Sequence, residues 1–342
     1  MVGPVRRVEV ALLLGALAVL AGCGEKEEPA NAGGAGSTEQ FDLALDWFPN
    51  ADHAGLYQAL DDGDFDDAGL EVDPQIPSDP SAPIKQVAAG RADLAISYEP
   101  EVLLARDEGL DVVAVGALVR EPLTSLVSLG GQGIANARGL EGKRVATAGI
   151  PYQAAYLRAI LEEAGLSEDD VDQVDVGLNL LSPLIAGKVD ATLGLFWNVE
   201  GVELQQRGDD PTIVPVDELG IPTYDELVLV ANGERVAEEP EAIRLFLAAL
   251  ERGTHAAAED PAAATQALVR ANQDLDPKLT RAQVADTLPV LLPREASEPY
   301  ALMDPERWRE FAGFMVDADL IGAVPPTDEM LTNDLLPGKI PE

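Results

Sequence analysis

The chain has 342 residues, and its 61 acidic against 23 basic side chains leave a formal charge of −38. So acidic a surface excludes nucleic acid and anionic lipid surfaces as charge-driven partners. The single cysteine, Cys23, excludes an intramolecular disulfide and a cysteine-ligated metal site.

Residues 1–23 read as an export segment. Arg6 and Arg7 give a basic start, residues 8–20 are apolar apart from Glu9, and Leu20-Ala21-Gly22-Cys23 closes the run. The apolar stretch is too short to span a bilayer. Its ending resembles the lipobox of bacterial lipoproteins, which implies a lipid on Cys23 and attachment to the outer face of the cell membrane. Residues 24–40 are rich in Gly, Glu, Ala and Asn without an apolar period, the pattern of a flexible tether.

From residue 41 short apolar runs alternate with helical periods, the mark of βαβ units. Strands are predicted at 41–47, 70–74, 92–97 and 112–118, with helices at 54–61, 82–89 and 101–107. An extended run at 121–129 predicts a crossover into a second unit. That unit has strands at 144–147, 173–176 and 191–196, helices at 153–164, 182–186 and 202–206, and extended segments at 212–215 and 227–231. The return crossover is placed near 226–231, and helices follow at 240–257, 261–271, 280–288 and 305–317. Asp304 before Pro305 is an N-cap and first-turn pair. The pattern predicts an α/β clamp: lobe one from 41–125, lobe two from 126–228, and a mainly helical return to lobe one over 229–342. Two sequential domains with a separate helical cap fit the same periodicity.

Strand ends in an open α/β sheet are where ligands sit. Trp47-Phe48-Pro49-Asn50 follows the first strand, and His53 and Tyr57 open the helix after it. Flat ligand faces call for aromatics, which makes Trp47, Tyr57, Tyr98, Trp197 and Tyr224 candidate walls, with Tyr57 equally suited to the core. Asn50 and Asn198 can read a hydrogen-bonding rim or cap a helix. Glu200 can accept from an amine or from a protonated ring nitrogen, or stand solvated at a helix start. Glu99 is a weaker candidate because acids are abundant. His53, near a helix start, is expected to stay neutral and to touch the ligand or orient Asn50. In lobe two the turn before Pro151 presents free backbone amides. No phosphate loop, paired-histidine metal spacing or nucleophile elbow stands out.

The segments Asp46-Trp47-Phe48-Pro49-Asn50, His53-Ala54-Gly55-Leu56-Tyr57, Ala92-Asp93-Leu94-Ala95-Ile96-Ser97-Tyr98, Phe196-Trp197-Asn198-Val199-Glu200-Gly201 and Thr332-Asn333-Asp334-Leu335-Leu336-Pro337, in this order, resemble the family of thiamine-pyrimidine-precursor binding proteins and fungal pyrimidine synthases. The resemblance implies the two-lobed, type II periplasmic-binding fold. It also implies an extracytoplasmic, monomeric solute-binding component of an ABC importer, with permease subunits as partners and no cofactor. The ligand implied is a small aromatic nitrogen heterocycle, a formylated aminopyrimidine before riboflavin. Ser97 aligns with the lysine that anchors pyridoxal phosphate in the fungal branch, and the fungal cysteine cluster falls near Pro222-Thr223-Tyr224, which has no cysteine. Those departures favour binding over synthesis.

Overall fold

The computed structural model describes residues 38–130, 134–295 and 297–338. The export segment, Cys23 and most of the expected tether lie outside them. Lobe one opens with β1 (Glu39–Ala44), α1 (Ala54–Asp62), α2 (Asp64–Asp67), β2 (Leu70–Gln75), α3 (Ala82–Ala88), β3 (Leu94–Ser97), α4 (Glu99–Asp107) and β4 (Val112–Val119). Lobe two contains β5 (Thr124–Ser128), β6 (Arg144–Thr147), α5 (Pro151–Glu163), β7 (Asp172–Asp175), α6 (Leu181–Ile185), β8 (Ala191–Phe196), α7 (Glu200–Arg207) and β9 (Thr212–Pro215). The chain returns through β10 (Leu227–Asn232) to α8 (Gly233–Glu238), α9 (Pro240–Glu259), α10 (Pro261–Ala271), α11 (Pro277–Leu291), α12 (Pro305–Asp317) and α13 (Thr327–Met330).

Each lobe is built on one five-stranded sheet, ordered β2-β1-β3-β10-β4 and β7-β6-β8-β5-β9. In both, the strand that follows a crossover enters antiparallel: β10 between β3 and β4, and β5 between β8 and β9. The remaining pairs are parallel. A strand arriving from the other lobe lacks the helical connection that makes its neighbours parallel, so it runs the other way.

Two boundaries differ from the periodicity. The run at 121–129 is a short crossing followed by β5 itself, and 227–231 is strand β10 inside the first sheet, so the return crossing is complete before Leu227. Extended apolar sequence reads alike in a connection and in a fully buried strand, and β5 is buried at every position. Helices also begin earlier than the apolar period. Pro151 and Pro277 occupy first-turn positions of α5 and α11, and Asp276 accepts from the Leu279 amide at 2.8 Å. The first strand likewise begins at Glu39, because Glu39 and Gln40 already pair with Leu70 and Glu71.

The crossovers are tied by one side chain. Glu226 is fully buried and accepts from the backbone amides of Leu123 (2.7 Å) and Thr124 (2.8 Å), from Thr124 Oγ1 (2.9 Å) and from Tyr224 Oη (3.0 Å). In lobe one Phe246 of α9 stacks between Phe41 and Phe65, with centroids 5.1 and 5.0 Å away. The chain end is pinned to lobe one by Asn333, which exchanges two hydrogen bonds with the backbone of Met303. The Thr332–Pro337 segment of the family resemblance is therefore a structural clasp.

Helices α1 and α9 cross at backbone contact. A methyl at Gly253 would overlap Ala59 and the Gly55 carbonyl, whereas one at Gly313, inside α12, would meet nothing within 4 Å. Gly253→Ala is expected to cost about 1–3 kcal/mol through overpacking. Gly313→Ala is expected to stabilise by about 0.5–1 kcal/mol, as Gly to Ala does in a helix interior. Denaturant midpoints of the two variants against the parent check both signs.

Candidate functional site

The turn between β1 and α1 is shaped by local capping. Asn50 Oδ1 accepts from the Asp52 amide at 2.8 Å, and His53 Nδ1 accepts from the Asn50 amide at 3.2 Å, the reciprocal pattern of a capping box. His53 Nε2 therefore carries the ring proton and donates it to Asp46 Oδ1 at 2.9 Å. The other oxygen of Asp46 accepts from Tyr98 Oη at 3.0 Å. Two side chains, His53 and Tyr98, thus fix one buried carboxylate at the inner edge of lobe one.

Asp46 borders a narrow pocket between the lobes, with a cavity volume of about 30 Å³. Lobe one supplies Asp46, Trp47, Asn50 and Tyr98. Lobe two supplies Ile150, Tyr152 and Gln153 from the start of α5, Leu180 just before α6, Gly194 and Phe196 from β8, and Val199 and Glu200 where α7 begins. Tyr98 and Tyr152 face one another from the two lobes with centroids 5.9 Å apart and planes at 60°.

The polar groups of lobe two are fixed as well. Gln153 Oε1 accepts from the Ala148 amide at 2.8 Å. Its amide nitrogen rests where a side chain on residue 194 would stand, and Gly194, at φ 116°, leaves that space. Glu200 accepts from the Phe196 amide at 3.0 Å, and burial pushes its carboxyl up to about 7 against the lowering effect of that bond. No lysine or arginine lines the pocket. It is a slot with aromatic walls, two carboxyl groups and the oriented side-chain amides of Asn50 and Gln153. It suits a flat ligand rich in N–H groups and opposes an anion.

Of the candidates from sequence, Trp47, Asn50, Tyr98 and Glu200 line this pocket. His53 stands behind Asp46, fully engaged at both nitrogens. Ser97 donates to Glu101 at 2.8 Å, and Glu99 accepts from the Asp225 amide at 2.6 Å, both inside lobe one. Tyr57 is buried in α1, and Tyr224 lies in an aromatic cluster with Tyr156 and Phe311 while its hydroxyl binds Glu226. Trp197 donates its indole N–H to the Pro122 carbonyl on the first crossover at 3.2 Å. Asn198 is buried against Asp52 and Thr287, and Pro151 is exposed while Ile150 and Tyr152 beside it face the slot. Periodicity did not reveal Asp46, Tyr152 or Gln153 as lining residues. The signal for Asp46 was present, as an acid at a strand end beside Trp47. Among the described residues no cluster of His, Cys, Asp and Glu is arranged to hold a metal ion.

Comparison with known proteins places this geometry in context. Residues 50–264 match the family described as NMT1/THI5 like. A formylaminopyrimidine-binding protein of Halalkalibacterium halodurans is 34% identical over 279 residues, covering 81% of this chain and 84% of that protein. A 4-amino-5-hydroxymethyl-2-methylpyrimidine phosphate synthase of Aspergillus parasiticus is 32% identical over 244 residues, covering 68% and 71%. Among solved structures, the periplasmic aliphatic sulphonate binding protein SsuA of Escherichia coli superposes with a TM-score of 0.67 at 14% identity, over 87% of this chain and 98% of that one. The architecture is thereby that of the periplasmic binding proteins.

The acids of the interior set a pH dependence. Burial raises Asp52, Glu101, Glu200 and Glu226 to about 7 and Asp225 to about 6. In the unfolded chain such groups release their protons near about 4. Between those values the folded protein binds more protons than the unfolded one, so stability falls as pH rises. The melting temperature is expected to be higher near about pH 5.5 than near about pH 8, with Glu200→Gln reducing the difference. Calorimetry across that range checks it, and a rising melting temperature would contradict the assignment.

Proposed function

This chain belongs to the NMT1/THI5-like family, and from that membership we propose that it is an extracytoplasmic solute-binding protein. Its ligand is a thiamine pyrimidine precursor of the formylaminopyrimidine type, captured between the lobes and passed to an ABC permease. The observation that carries this reading is the pocket itself, with aromatic rings from both lobes and carboxylates in place of any cationic side chain. An aminopyrimidine offers two flat faces and an exocyclic amine. Trp47, Tyr98 and Tyr152 are suited to the faces, and Asp46 and Glu200 to the N–H rim. With a carboxyl held near about 7, Glu200 is poised to share a proton with a basic ring nitrogen.

The same lining argues against a sulfonate, which wants basic groups, despite the shared fold. It also argues for binding over synthesis. Ser97 stands at the aligned position of the fungal lysine and is occupied by Glu101, and His53 is committed to Asp46 and the Asn50 amide. Without an amine there is no Schiff base for a pyridoxal cofactor. The export segment and Cys23 support attachment outside the membrane through a lipid.

Two measurements address the proposal. Tryptophan-fluorescence titrations of the purified chain with formylaminopyrimidine, riboflavin and an alkanesulfonate are expected to favour the first. Tyr98→Ala or Trp47→Ala should weaken that binding by about 1–3 kcal/mol, the range for a base stacked on an aromatic ring. A preference for the sulfonate, or no binding at all, sinks the ligand assignment. Separately, Cys23→Ala is expected to move the protein from the membrane fraction to the soluble extracytoplasmic one. An unchanged partition would remove the lipid anchor.

A further inference from the structure

The two lobes meet through a polar contact distinct from the pocket walls. The segment between β8 and α7 carries Asn198, which belongs to lobe two yet is fully buried against lobe one. Its Nδ2 donates to Asp52 Oδ1 at 2.6 Å and to Thr287 Oγ1 of α11 at 2.8 Å. Beside it, Gln283 Nε2 donates to the Val199 carbonyl at 2.9 Å. These bonds fasten a lobe-two turn to the first helical turn and to α11 of lobe one.

The pair has one unusual property. Asp52 Oδ2 and Asn198 Oδ1 are both buried without a hydrogen-bond partner. If Asp52 were ionised, both atoms would be buried acceptors without a partner, which is unfavourable for each. A proton on Asp52 Oδ2 supplies the missing donor. That proton would be available to Asn198 Oδ1, beside the Nδ2–H to Oδ1 bond already present.

We infer that Asp52 and Asn198 form a proton-dependent latch between the lobes, closed while Asp52 is a neutral acid and released when it ionises. Release transfers the Asp52 proton to solvent, breaks the Oδ2–H bond and leaves a carboxylate oxygen against the amide oxygen. Separation of the lobes then hydrates both. Burial raises the Asp52 carboxyl to about 7, so the latch responds near neutral pH.

The surroundings sharpen this response. The hydrogen bond from Asn198 lowers the Asp52 carboxyl and Asp46 and Glu200 of the pocket raise it, while His53, next in sequence, holds its ring proton toward Asp46. Helix α11 faces it with Thr287 and Gln283, its charged residues Lys278, Arg281 and Asp286 being exposed. Helix α10 offers only Arg270, exposed and paired with Asp61, and the acids of α1, Asp61 and Asp62, are exposed. On α7, Glu203 pairs with Arg207 of the same helix. Among the described residues, the pocket acids are the buried charged groups nearest the latch. The inference does not depend on which ligand the pocket takes.

Small-angle scattering of the ligand-free full chain tests it. The radius of gyration of the parent is expected to increase as pH rises from about 5.5 to about 8.5, with a midpoint near the Asp52 titration. Asp52→Asn, an isosteric change that keeps a permanent donor, should hold the compact value throughout. Asp52→Ala should give the extended value throughout. Gln283→Ala removes a bond that does not titrate, and should loosen the contact without abolishing the pH response. A parent whose dimensions do not change with pH, or an Asp52→Asn variant that opens with the parent's profile, would overturn the latch.

Discussion

Everything in this molecule hangs on a carboxylate that holds two strands of chain side by side. Glu226 receives four hydrogen bonds, from both amides and the hydroxyl at the end of the first crossover and from Tyr224 on the second. A buried carboxylate is costly unless its oxygens are filled, and here the donors that fill it come from the two connections that must stay together. The result is a fixed pivot. Each lobe keeps its own sheet, and the two connections are held side by side where they pass between them.

The interior of the clamp is acidic to a degree that a soluble core normally avoids. Glu226, Glu101 and Glu99 are consumed by the scaffold, each bound by a hydroxyl or backbone amide close at hand. Asp46 is held by His53 and Tyr98 but keeps an edge on the pocket. Glu200 closes the same pocket from the opposite lobe. The pocket acids are positioned by donors, His53 and Tyr98 for Asp46 and the Phe196 amide for Glu200, and they leave acceptor groups on both sides of the slot. A cationic side chain would have neutralised the acids more simply, at the cost of the acceptor character that makes the slot selective.

The local signals along the chain were readable because they depend on near neighbours. Alternating strand and helix periods placed nearly every element, and the Asp304-Pro305 start follows from capping chemistry that involves a few residues, whereas the same chemistry at Asp276-Pro277 went unread behind the later apolar period. The strand-end motifs led to Trp47, Asn50, Tyr98 and Glu200. Trp197 and Tyr224 carried the same composition and the same position at element ends. They are directed elsewhere because the crossovers offer a carbonyl at Pro122 and a carboxylate at Glu226. An aromatic ring at a strand end has two directions available, and the partner that chooses between them is distant in sequence.

Sequence alone determined the class of the fold, the order of its two units and the character of the first turn, since periodicity and capping are set within a few residues. Tertiary structure decided which acids face the slot and which are spent holding it. Asn198 and Asp52 are 146 residues apart, and the pairing between them exists only once two separate sheets have been brought together. Burial and hydrogen-bond partnership are properties of that assembly. A pattern read along one chain segment carries no information about the solvent it will lose or the donor it will meet.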